Sequence, residues 1–79
     1  MISNHAADVT VHIDETLDPS QRDQMEEGFR TLDGVVSVHM ADGPAAHLVV
    51  VSFDPEVASS QDLLGAVSGQ GHRGELIGF

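Results

Sequence analysis

The sequence predicts a single α+β sandwich of β-α-β-β-α-β order, a four-stranded antiparallel sheet with two helices on one face. Three observations carry this. Four short segments rich in β-branched and apolar residues are separated by turn residues. Two further stretches show helical apolar spacing behind capping residues. Finally, the run Val9-Thr10-Val11-His12-Ile13-Asp14 matches Val49-Val50-Val51-Ser52-Phe53-Asp54 in pattern, and each is followed by a loop and a capped helix.

Residues 1–7 carry no periodic signal and read as a flexible lead, with 8–79 as the domain. Val9, Val11 and Ile13 alternate with Thr10, His12 and Asp14, the pattern of a half-buried strand. Asp18-Pro19-Ser20-Gln21 opens a helix over 19–32: Asp18 caps, Pro19 fits the first turn, and Gln21 stands where a capping box needs Glu or Gln. Met25, Phe29 and Leu32 form its apolar stripe, and Asp33-Gly34 ends it. Val36, Val38 and Met40 mark a second strand, followed by the turn chemistry of Asp42-Gly43-Pro44. Residues 47–53 form a third strand, stopped by Asp54-Pro55. Ser59 with Asp62 caps a second helix over 59–69, buried through Leu63, Leu64 and Val67 and closed by Gly69 and Gly71. Residues 72–79 supply the last strand. Right-handed crossovers place the first and third strands side by side in the middle, which makes this a split βαβ, or ferredoxin-like, sandwich.

Composition limits the function. Seventy-nine residues support one small core with a radius of gyration of roughly 12 Å. Thirteen acidic residues against three arginines give a net charge of −10, so phosphate backbones and anionic membranes repel the chain and neither nucleic acid nor membrane is expected as a partner. No apolar run approaches a membrane span, and the first residues lack the pattern of a signal peptide, so the expected location is cytoplasmic. The absence of cysteine removes thiolate metal sites and thiol catalysis. No glycine-flanked nucleophile, triad spacing or phosphate loop is present, and the expectation is a binding domain, not an enzyme.

Leu32-Asp33-Gly34-Val35-Val36-Ser37-Val38, the strand Val49-Val50-Val51-Ser52-Phe53-Asp54-Pro55, and Leu63-Leu64 through Val67 to Gly71-His72 resemble the heavy-metal-associated domain family, which includes small copper chaperones, mercury-binding proteins and N-terminal domains of metal-pumping ATPases. The resemblance spans about residues 8–77 and implies a metal end at the loop between the first strand and the first helix. The two cysteines of the family's metal loop fall on Asp18 and Gln21, and its Met and Thr on Thr16 and Leu17. Soft Cu(I) prefers thiolates, so this loop does not carry the family's chemistry.

Five histidines provide a different donor set. The topology brings His12, His39, His47 and His72 toward the end of the sheet that also holds Asp14, Glu15 and Asp18. Strands sit ~4.8 Å apart, so His39 and His72 on opposite edges are about 14 Å apart and cannot share an ion. His12, His72, Asp18 and His47 are the candidate ligands, with His72 also implied by the resemblance. Imidazole and carboxylate suit a divalent transition metal (Zn, Ni, Co or Cu(II)).

The alternative function is a metal-free protein-interaction or oligomerisation module that uses the open face of the sheet, with a protein partner or a second copy of the chain. If Val49, Val51 and Phe53 face the helices, Leu48 and Val50 face outward. The resemblance turns Leu76 inward and Ile77 and Phe79 outward. Leu48, Val50, Ile77 and Phe79 are then the expected interface, an apolar patch in an acidic chain.

Overall fold

The structure, a computed structural model, describes residues 6–41, 43 and 47–77. Its elements run β1 (Ala7–Ile13), α1 (Pro19–Arg30), β2 (Val35–Met40), β3 (Leu48–Phe53), α2 (Ser60–Gly69) and β4 (Gly74–Ile77). The sheet is antiparallel in the order β2-β3-β1-β4, with β1 and β3 central as expected. The Cα radius of gyration is 12.0 Å.

Both helices begin as their sequences dictate. The Asp18 carboxylate accepts from the Gln21 amide at 2.8 Å while Gln21 Oε1 accepts from the Asp18 amide at 3.0 Å. Ser59 and Asp62 repeat this reciprocal arrangement at α2. Each box satisfies amides that a helix N-terminus otherwise leaves without partners.

One core lies between the sheet and the helices. Val9, Val11 and Ile13 of β1 and Val49, Val51 and Phe53 of β3 meet Met25 and Phe29 of α1 and Leu63 and Val67 of α2, all buried. Leu32 and Leu64 pack at its margin.

Several details differ from the sequence reading. β1 begins at Ala7, inside the span read as a lead. α1 ends at Arg30, because the Thr31 amide closes on Glu27 and Phe29 and the Leu32 amide bonds the Phe29 carbonyl in a tightened last turn. β4 begins at Gly74 and not at His72. The His72 amide bonds the Val67 carbonyl and the Gly71 amide bonds that of Ser68, with Gly71 at φ +83°, so His72 completes the Schellman close of α2. In β2 the register shifts between Val35 and Ser37, and the bulge leaves Val36 67% exposed, so Val38 and Met40 are the core-facing residues there. The lead residues 1–5, most of the 42–44 turn and the end of the last strand lie outside the described residues.

Two glycines give opposite expectations. Gly34 sits at φ +93°, and a Cβ there would lie 2.9 Å from Val57 Cβ. Gly65 is helical, exposed and has open space around it. In urea denaturation we expect Gly34→Ala to destabilise by more than about 1 kcal/mol and Gly65→Ala to stabilise by about 0.5–1 kcal/mol.

Candidate metal centre

The alternation that buries Val11 and Ile13 turns His12 to the open face of the sheet. There it stands opposite Leu48 of β3 on one side and Glu75 of β4 on the other. Asp14, just beyond the strand, brings its Oδ1 to 3.4 Å from His12 Nδ1. That nitrogen is shielded from solvent and has no hydrogen-bond partner among the described residues. Ligand atoms of His12, Asp14 and Glu75 all lie within 4.8 Å of one another, the one such group of three or more among the described residues. A tetrahedral ion with bonds of ~2.0–2.1 Å separates its ligands by about 3.3 Å, so the His12–Asp14 spacing already suits a shared cation.

The remaining candidate ligands are placed elsewhere. His47 stacks on His12, with ring centroids 5.7 Å apart and planes 18° from parallel. Its Nδ1 lies 2.8 Å from the Ile13 carbonyl oxygen. A carbonyl only accepts, so Nδ1 carries the proton and Nε2 is the acceptor, 3.4 Å from the Thr16 hydroxyl. His72 turns to the loop, where Nδ1 is 3.6 Å from Glu15 Oε1. Asp18 caps α1. Of the four candidate ligands, His12 alone belongs to the group of converging donor atoms, with Asp14 and Glu75; His72, Asp18 and His47 lie outside it. Glu75 was not anticipated. The signal for it is the register of β4: with Leu76 facing in opposite Val11, its neighbour Glu75 faces out opposite His12.

Of the expected interface residues, Leu48 and Val50 lie on the open face and Ile77 pairs with Thr10 there. Val50 is 37% exposed. Phe79 lies outside the described residues.

The loop leading to α1 is closed by its own polar contacts. The Asp14 amide bonds the Arg73 carbonyl at 2.8 Å, and Glu15 Oε1 accepts from the Arg73 amide at 3.1 Å. The positions that bear cysteines in the resembling family are occupied by the two members of the α1 capping box. The residues present thus do not fit a soft-metal loop site.

A structure search finds close likenesses. The chain is similar to oxidized MerP from Ralstonia metallidurans at 19% identity and a TM-score of 0.82, covering 92% of this chain and 99% of that one. It is similar to the Cu(I)-loaded N-terminal domain of a potential copper-translocating P-type ATPase from Bacillus subtilis at 23% identity and 0.81, covering 92% and 89%. A copper-binding domain from another P-type ATPase matches at 15% identity and 0.79, covering 90% and 93%. No family model matches the chain, and neither does any curated protein. The likeness establishes the fold: this is the ferredoxin-like sandwich of heavy-metal-associated domains. Among the described residues no helix is long and apolar enough to cross a membrane.

Glu15 supplies a pH test of the loop. The Arg73 N–H it accepts holds its carboxyl below the ordinary 4.5, with the nearby His72 and Arg73 charges acting in the same direction and desolvation opposing. A lowered carboxyl favours the folded state fully above the unfolded value and loses that contribution as pH falls through the lower folded value. We expect the Glu15 carboxyl to titrate below 4.5 by carbon-13 NMR, with the Arg73 amide shift following the same curve. A midpoint at or above the ordinary value would contradict the contact.

Proposed function

We propose that this protein is a cysteine-free metal-binding domain that takes a divalent transition ion, Zn(II), Co(II), Ni(II) or Cu(II), through His12, Asp14 and Glu75. The observation that carries the reading is the shielded His12 Nδ1, without a hydrogen-bond partner among the described residues, beside a carboxylate in the one group of converging ligand atoms found among them. The copper-binding domains that share the fold support it at the level of class. Imidazole and carboxylates are a borderline-to-hard donor set, which selects against Cu(I). A neutral imidazole and two carboxylates also balance the charge of a divalent ion. The role is binding and delivery, without a catalysed reaction.

Isothermal titration with Zn(II) tests this. One ion binds at pH 7.5, and His12→Ala and Glu75→Gln each weaken it by at least roughly tenfold. A ligating imidazole must be neutral, so affinity falls as pH drops from about 7 to 5. Full binding at pH 5, or in His12→Ala, would refute the assignment. Competition with a thiolate chelator should show Cu(I) held far more weakly than by a cysteine pair.

A second reading rests on the exposure of Val50 at the centre of the open face. Val50 lies between Thr10 and His39 in the sheet register, near Leu48 and Ile77. In this reading the face docks a protein partner or a second copy. The charge of −10 opposes self-association and salt screens that repulsion, so an apolar homodimer would tighten as salt rises. Light scattering at low and high salt, with Val50→Glu as control, checks this. A strict monomer in both removes the second-copy form.

A further inference from the structure

His12 stands on the open face of its strand, where an imidazole has several staggered positions available. Only some of them bring a ring nitrogen to Asp14 and Glu75. In the position observed, Nδ1 is turned to Asp14 and shielded from solvent. No hydrogen bond among the described residues fixes that nitrogen. The ring is therefore oriented by packing, and the packing partner can be identified.

His47 lies against it, with ring centroids 5.7 Å apart and planes 18° from parallel, within the range of favourable aromatic pairs. His47 is anchored to Ile13 at two points. Its carbonyl accepts from the Ile13 amide at 2.8 Å, and its Nδ1–H donates to the Ile13 carbonyl at 2.8 Å. The side chain thus supplies the returning bond that a strand partner's own amide supplies in an antiparallel ladder. The other nitrogen, Nε2, is 3.4 Å from the Thr16 hydroxyl. With both nitrogens engaged inside the protein, what His47 offers His12 is the face of a fixed ring.

We propose that His47 is a positioning residue of the metal centre and not one of its ligands: its anchored ring holds His12 in the rotamer that presents Nδ1 to the ion, while His12 Nε2 keeps the proton. This rests on the metal reading above. A ring fixed before the ion arrives spares binding the loss of rotamer freedom that an unsupported side chain must undergo.

The test uses the full chain with Zn(II). If calorimetry shows no Zn(II) bound by the unaltered chain, the metal reading falls and this inference with it. With Zn(II) bound, long-range proton–nitrogen NMR should show His12 ligated through Nδ1 and protonated at Nε2. His47→Ala should weaken Zn(II) binding by about three- to tenfold at unchanged stoichiometry, and the His12 signature should divide between its two nitrogens. His47→Phe keeps a ring and no nitrogen, and should bind within about threefold of the unaltered chain. His47→Asn keeps an amide donor for the Ile13 carbonyl and no ring, and should behave as His47→Ala does. The Phe and Asn variants keep the comparison decisive if His47→Ala does not fold. The inference fails, with the metal reading intact, if His12 ligates through Nε2, or if His47→Ala or His47→Asn binds Zn(II) as tightly as the unaltered chain. It fails likewise if His47→Phe loses as much affinity as His47→Asn, which would make the His47 imidazole itself necessary.

Discussion

The pairing of β1 with β3 is the constraint on which the rest of the molecule depends. Val9 opposite Val51 and Val11 opposite Val49 put a continuous apolar surface against Met25, Phe29, Leu63 and Val67. Side chains on a strand alternate, so this same pairing sends Thr10 and His12 to the other face. A one-residue slip would bury His12 and expose Val11, Ile13 and their neighbours. Each fully buried aliphatic side chain contributes roughly 1.5–3 kcal/mol, against a total stability of about 5–15 kcal/mol for an ordinary domain. The outward position of His12 is therefore held as firmly as the core itself.

Around that frame, helix-capping chemistry occupies the loop where the family resemblance implies a metal end. Asp18 and Gln21 stand at the family's two cysteine positions and hold the first turn of α1 by reciprocal hydrogen bonds. Glu15, Arg73, Thr16, His47 and His72 link the adjoining loop to the sheet and to the close of α2. The loop is thus ordered by protein contacts alone. The converging donor atoms lie outside this network, at the junction of β1, its following turn and the edge strand β4.

The sequence by itself determined the element order, the central position of β1 and β3, both capping boxes and the core stripes of both helices. These rest on short-range signals: a period of two or 3.6, a capping side chain three residues from its partner, a glycine after a helix. It also determined that no thiolate site exists, because there is no cysteine. It singled out His12 and the end of the sheet where the converging donor atoms lie. Only the tertiary structure decided which side chains meet His12. Glu75 stands beside it through the register of the edge strand β4, in which Leu76 pairs with Val11 and Glu75 with His12. The His72 ring faces Glu15 and the His47 ring is held at the Ile13 carbonyl, so both stand outside the group around His12. Those outcomes depend on pairings between residues distant in the chain, and a local pattern carries no information about them.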